Sequence, residues 1–547
     1  MRAGLCPYIV ERGGVPSPVT AWRIGCHVKL PACRPNAASR GGNSRAVSAG
    51  PSEMGCPVVE SNTSADRHTT RVLRRFGPDP ANWVQPSAAD HDVVVVGGGQ
   101  AGLGIGFALR RAGIARVSVI DAAAPGAKGV WTTIARMVDL RTPKQWPEPE
   151  FGYPELSFQA WYESVHGEEA YESLSRIPRL TWARYIEWIE THLGVPVRHH
   201  TRLTDIAPGP DGLTLTLTVR RPDGSEATIR ETTRKLVLAN GVEGTGGPYL
   251  PPELAEIPAR LLAHTGHHID FARLTGKTIG VLGAAASAFD AAATALEAGA
   301  AEVHLFTRRP DLIVQGAGGA GPSGNLGARN NYHRRGDEAR WRQRVLAARS
   351  GRSVPLESVR RATAFAGFHI HLDAPWSAAT QAGDRVIVEA SDGRHTFDFV
   401  IAGTGYQYDP RTRAELRGIA DDIALWGDRH LPGPDLTDAA LARTPYLGSG
   451  FQLTEKQPGR APWIGRIHIF SAAAHLSFGY PIGDTQSLAH HIPRLADALG
   501  RDLYFEDQQS SPAPTPATPP ASLRDHYRHS IWSPQQAHER DLGVPLP

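Results

Sequence analysis

The apolar run Val93-Val94-Val95-Val96 ends abruptly in Gly97-Gly98-Gly99-Gln100-Ala101-Gly102, and no other stretch restricts the possible folds so tightly. Gly97, Gly99 and Gly102 fit G-x-G-x-x-G. The first glycine permits a tight strand-to-helix turn, the second lets backbone approach a pyrophosphate, and the third lets helix pack on strand. The helix expected over Ala101 to Ala112 aims its N-terminal N–H groups and dipole at the phosphates. A second strand, Arg116 to Ile120, ends in Asp121, at the distance expected of the acid that binds a ribose hydroxyl. Strand, glycines, helix, strand and acid in this order specify dinucleotide binding rather than a merely structural turn.

A second turn follows far downstream, Thr278-Ile279-Gly280-Val281-Leu282 running into Gly283-Ala284-Ala285-Ala286-Ser287-Ala288. Ala285 and Ala288 replace the second and third glycines. A methyl at the second position pushes a pyrophosphate away, so a βαβ unit that binds nothing competes with a second dinucleotide site. The next strand, Glu302 to Phe306, decides between them. It ends in Thr307-Arg308-Arg309 with no carboxylate, and Arg308 or Arg309 can pair with a ribose 2′-phosphate where an acid would repel it. Gly283, Ser287, Arg308 and Arg309 are therefore candidate NADPH contacts.

From about residue 90 to 490 the chain resembles the two-dinucleotide flavoprotein monooxygenases: the flavin-containing monooxygenases, Baeyer–Villiger enzymes and bacterial N-hydroxylases. Phe399 to Tyr406, with Gly405, is similar to the late ATGY-type segment where the chain returns from nicotinamide domain to flavin domain. Leu236 to Gly241 is similar to its earlier counterpart. Gly129-Val130-Trp131 resembles the G-G-x-W segment beside the flavin. Leu140-Arg141-Thr142-Pro143-Lys144 sits where flavin-containing monooxygenases carry T-N-x-x-K lining the reaction chamber. Arg141 replaces the asparagine, so the amide contact does not carry over, whereas Lys144 matches. Solvated loop charges are the bland reading of both. By resemblance Ser477, Gly483 and Asp484 lie in a late loop and helix start over the flavin; Asp484 also reads as an ordinary N-cap. The Baeyer–Villiger fingerprint F-x-G-x-x-x-H-x-x-x-W is mostly absent, with Pro258, Arg260 and His268 at its Phe, Gly and Trp positions.

The fold class implied is α/β, with two Rossmann-like, three-layer domains and the NADPH domain inserted in a discontinuous FAD domain. The expected organisation is a disordered leader over 1–53, a lead-in over 54–90, and FAD-domain parts over 91–248 and 396–506. The NADPH domain covers 249–395, with an irregular insertion at 315–335 that offers Asn325, Arg329 and His333 as further candidates. A Pro/Ser-rich linker and tail fill 507–547. Met54 is the sole methionine between Met1 and Met137, and translation is expected to start there. Asp290 is expected to be a hydrogen-bonding helix residue rather than a catalyst.

Composition fits a soluble, cytoplasmic enzyme: 547 residues, formal charge +3, and no apolar run of membrane-spanning length. Nothing in the charge points to nucleic acid. Cys6, Cys26, Cys33 and Cys56 all precede the first turn, which removes dithiol chemistry beside a flavin. No metal set is expected; His264, His267 and His268 lack a neighbouring carboxylate or thiolate and read as hinge or surface.

The resemblance implies that NADPH reduces FAD and that a flavin C4a-hydroperoxide then delivers one oxygen atom from O2 to a small organic substrate. N- or S-oxygenation or ring hydroxylation is favoured over lactone formation, and an electron-rich heteroaromatic such as a purine also suits the chemistry. Arg141 and Lys144 are the candidate catalytic residues, stabilising peroxide charge or orienting nicotinamide. Two other classes share the motifs: an NADPH-dependent flavin reductase serving a protein or quinone, and a non-catalytic redox sensor.

Overall fold

The two valine- and isoleucine-rich turn strands each become the centre of a separate sheet. The computed structural model describes residues 64–145, 153–242, 244, 246–312, 326–351, 354–510 and 522–535, all within one compact unit. The leader over 1–53, Asn325, and most of the tail lie outside the described residues.

In the first lobe, His91–Val96 lies parallel between Val117–Ile120 and the C-terminal half of the long strand Glu226–Leu238. Val197–Arg198 and Ile467–Ile469 extend the parallel sheet at its two sides. The N-terminal half of Glu226–Leu238 instead pairs antiparallel with Gly212–Arg220, which pairs with Thr201–Gly209. Val93, Val94 and Val95 are fully buried, as strands covered on both faces require.

The second lobe is a five-stranded parallel sheet ordered Phe368–His371, Glu302–Phe306, Thr278–Leu282, Phe399–Ala402, Leu262–His264. A three-stranded antiparallel sheet, Trp376–Ala382, Arg385–Ala390 and Gly393–Phe397, covers one of its faces. Phe306, Trp376 and Phe397 fill the space between them. The other face holds the alanine-rich helix Ala286–Glu297, whose small side chains let it lie close. The expected α/β class with two Rossmann-like lobes is what the chain forms.

Two boundaries shift. Phe399–Ala402 hydrogen-bonds into the second sheet, so the second lobe continues past 395 and the crossing comes after Ala402. The last long helix runs Thr485–Ser510, beyond the expected linker start at 507, because Asp507 pairs with buried Arg234 at 2.7 Å and accepts the Gln85 amide at 2.9 Å. The two crossing segments, Gly247–Pro248 and Tyr406–Gln407, are hydrogen-bonded to each other as a short antiparallel pair. Gly405, at φ +83°, turns the chain into it, and its carbonyl accepts the Tyr249 amide.

Candidate functional site

At the first turn, Gly97 sits at φ +111° with its N–H donating to Ile120 O at 2.8 Å. A Cβ there would strike the Ala239 carbonyl, and one at Gly102 would overlap the Gly97 carbonyl. Gly99 instead faces open space, with Gly129 passing over it; the closest atom to an added Cβ is Gly129 Cα at 3.7 Å. The helix Gln100–Arg111 starts at Gly99 without a side-chain cap, leaving its first N–H groups for a ligand. Asp121 stands at the strand tip, its Oδ2 accepting the Gly98 amide at 2.6 Å and its Oδ1 the Ala123 amide at 2.7 Å. At the same strand ends, Asn240 Oδ1 and Ser471 Oγ are buried without a hydrogen-bond partner. An open glycine face, a free helix N-terminus, a carboxylate and orphaned polar atoms at the carboxyl ends of strands fit a dinucleotide.

Trp131 packs edge-on against Trp182 at 6.3 Å, and Trp182 Nε1 donates to Gln100 Oε1 at 3.1 Å. Gln100 Nε2 reaches on to the Gly483 carbonyl at 3.1 Å. Gln100 thus ties the turn to the late loop, a role hidden at a variable position of the motif. Asp484 accepts the Ser487 amide at 2.9 Å and caps the last helix. Ser477, expected beside the flavin, is buried; its hydroxyl accepts from Trp426 Nε1 and the Leu447 amide, each at 3.3 Å. Its hydroxyl is thus spent on holding neighbouring chain segments.

At the second turn Gly283 has φ +108° and donates to Phe306 O at 2.9 Å. The helix Ala286–Glu297 also starts uncapped, and Ser287 on its first turn is exposed. Arg308 is exposed, whereas the Arg309 guanidinium lies against Gly351. Of the two arginines, Arg308 is the one free to meet a phosphate.

Between the lobes lies a cavity of about 280 Å³ whose lining includes Leu140, Arg141, Arg176, Asp290, Ser358 and Arg361. Arg141 donates to Asp290 Oδ2 at 2.5 Å, and its Nε is buried without a partner. Asp290 also accepts from Ser358 Oγ at 2.8 Å, the hydrogen-bonding role expected of it. Arg361 is anchored by Glu297 at 2.5 Å and donates to the Arg136 carbonyl at 2.7 Å. Arg136 in turn donates to the Thr265 carbonyl at 2.6 Å and the His267 carbonyl at 2.7 Å. The His264–His268 loop is therefore a lobe junction. Burial, then repulsion from His267, pushes His264 down to about 4.

Lys144, expected beside Arg141, does not line this cavity. Its ammonium donates to the Tyr171 carbonyl at 2.5 Å and the Glu172 carbonyl at 3.0 Å, in the last turn of the helix Glu168–Ser173, where unpaired carbonyls attract a cation. Arg176 and Arg361 take its place and were not foreseen; neither lies in a recognisable motif. From the insertion, Arg329 reaches the late loop, donating to Gln486 O at 2.7 Å and lying over Tyr480. His333 stacks on Phe478 and is held near 4 by burial and Arg494.

Residues 94–315 match the family model described as pyridine nucleotide-disulphide oxidoreductase. The chain is 37% identical over 456 residues to a FAD-dependent urate hydroxylase of Xanthomonas campestris pv. campestris, spanning 80% of this chain and 92% of that protein. The chain belongs to the two-dinucleotide-binding flavoprotein monooxygenases. Solved structures of the family share the fold. An ornithine hydroxylase from Pseudomonas aeruginosa superposes with a TM-score of 0.57 at 16% identity, covering 76% of this chain and 99% of its own. An L-lysine 6-monooxygenase from Pseudomonas syringae gives 0.54 at 21% identity, covering 75% and 99%. Among the described residues no helix is long and apolar enough to cross a membrane.

Proposed function

We propose that this monooxygenase uses NADPH and O2 to hydroxylate urate or a closely related oxidised purine. The observation that carries the reading is the cavity between the lobes, whose wall holds Arg141, Arg176 and Arg361 together with Asp139, Asp290 and Glu357. Urate is a planar, electron-rich anion at neutral pH, and guanidinium groups suit it through charge and in-plane hydrogen bonds. The resemblance to a urate hydroxylase over most of both chains supports the same substrate class. Amine N-oxygenation is the competing reading: Asp139, Asp290 and Glu357 balance the three guanidinium groups in formal charge, so the choice of a purine rests on the resemblance to the urate hydroxylase.

Bound FAD, with NADPH as its reductant, would supply the activated oxygen. The overall reaction balances as substrate, O2, NADPH and a proton giving hydroxylated substrate, NADP and water. The protein's part is placement. Gly97, Gly99, Gly102 and Asp121 hold FAD; Gly283, Ser287 and Arg308 hold NADPH. Arg141, kept in place by Asp290, presents its guanidinium to substrate or to oxygen-borne charge.

The test is steady-state NADPH oxidation with and without urate, with hydrogen peroxide measured in parallel. Urate should accelerate NADPH oxidation and suppress peroxide release. Arg141→Ala should retain FAD but lose about tenfold in coupled turnover, roughly 1.4 kcal/mol, with peroxide rising to match. Unchanged coupling in Arg141→Ala would remove Arg141 from the site, and indifference to urate would remove the purine reading.

A further inference from the structure

At the edge of the second lobe, histidines from three strands converge. Period-two alternation sets Glu302, His304 and Phe306 on one face of their strand, His369 and His371 on one face of the next, and His395 with Phe397 on the covering sheet. The inner part of this sheet–sheet contact is aromatic. Phe306 stacks on His371 with centroids 4.1 Å apart, and Phe397 is fully buried. The rim is imidazole and carboxylate. His371, Asp392 and His395 each offer a ligand atom, all within 4.8 Å of one another, and so do Glu302, His304 and His369.

We propose that His371, His395 and Asp392 form a divalent transition-metal site, suited to zinc, that staples the covering sheet to the second lobe. Two imidazoles and a carboxylate with an open position are a zinc-type donor set. Asp392 already bridges the two rings, its Oδ2 lying 2.5 Å from His371 Nδ1 and its Oδ1 3.1 Å from His395 Nε2. A metal ion would take the place of the shared protons.

The far side of His371 is what distinguishes this site from a chance surface cluster. With Nδ1 on the metal, its Nε2–H points at His304 Nδ1, 2.9 Å away. The other nitrogen of His304 lies 3.4 Å from Glu302 Oε2. A metal-bound imidazole characteristically donates its second N–H to such a partner, which fixes the ring and raises its basicity. No sequence pattern reveals the set, because its members come from separate strands and a loop.

The test uses the untagged, full-length, FAD-loaded enzyme, stripped with a chelator and titrated with zinc chloride by calorimetry, with metal content read by mass spectrometry. The wild type should bind one zinc ion per chain more than the double variant His371→Ala/His395→Ala. The four N-terminal cysteines are common to both proteins and cancel in the difference. Asp392→Asn, which keeps the side chain's shape, should weaken binding while FAD content and circular dichroism stay unchanged. Glu302→Gln should weaken it roughly 10- to 100-fold. Equal zinc binding by the wild type and the double variant would overturn the proposal, as would the absence of saturable binding by the wild type.

Discussion

In the first turn Gly97 adopts φ +111°, and in the second Gly283 adopts φ +108°; each donates its N–H to the end of the neighbouring strand and faces a carbonyl of the crossing strand. The helix-capping positions also agree, with Gly99 at φ −73°, ψ −172° and Ala285 at φ −88°, ψ 175°. That is extended backbone, which any residue adopts, so Ala285 is unstrained. Its methyl group matters only to a ligand above it. The third positions differ for another reason. Gly102 must lack a Cβ because the Gly97 carbonyl occupies its place. Ala288 keeps its methyl because the crossing strand supplies Gly403, whose own Cβ would lie 2.6 Å from it. The small residue has moved from helix to strand. What a dinucleotide turn conserves here is close approach of strand, helix and crossing segment, and the glycines can be shared among them.

The largest test of that idea is Gly102→Ala, which should destabilise the first lobe by several kcal/mol and empty it of FAD, as overpacking against backbone does. Gly403→Ala should injure the second lobe comparably, whereas Ala288→Gly should cost only about 1 kcal/mol of helix propensity. Thermal midpoints and flavin content read all three. If Gly403→Ala is harmless, the exchange of volume between helix and strand is wrong.

Acid should affect both lobes, and the first more, because it also buries His491, held near 3 chiefly by burial. His264 in the second and His468 in the first are both buried and held near 4, chiefly by burial. The unfolded chain binds their protons first, at the ordinary value near 6.5. Their stabilisation is therefore present above pH 6.5 and is lost as pH falls to about 4, roughly 3 kcal/mol for each at most. Denaturant midpoints across that range should show the loss, and His468→Gln should reduce it. A flat wild-type profile from pH 7 to 4 would contradict both assignments.

A smaller effect separates the strand tips. Arg308→Ala should lower kcat/KM for NADPH about tenfold, near 1.4 kcal/mol, and leave NADH unchanged. Equal losses with both nucleotides would assign Arg308 a structural role. The smallest change is expected from Ala285→Gly, which should lower KM for NADPH by less than about fivefold, since the backbone there is already in place. A rise in KM would mean that the methyl is a contact and not an obstruction.

Much of the fold was legible because buried parallel strands and their turns are written in contiguous residues. Val93–Gly102 and Thr278–Ala288 define both lobes, and Asp121 and Arg308 follow at fixed intervals along the chain. The cavity was legible only at Arg141. Arg176 and Arg361 reach it from helical neighbourhoods with no motif, brought there by the meeting of two lobes. Lys144 and Ser477 matched family positions in sequence, yet local carbonyls and buried donors claim their side chains. The boundary after Ala402 was obscured because Phe399–Ala402 and the crossing pair are adjacent in sequence and belong to different sheets.

The central claim, oxygen transfer to a purine by NADPH-reduced enzyme, is tested most directly by a single turnover. The FAD-loaded protein is reduced anaerobically with NADPH, then mixed with buffer containing 18O2 and urate while absorbance is followed. One labelled oxygen atom in the product per NADPH, formed as a transient near-ultraviolet absorbance decays, is the expected result. Direct reoxidation with no label in urate, and peroxide released in its place, would contradict it.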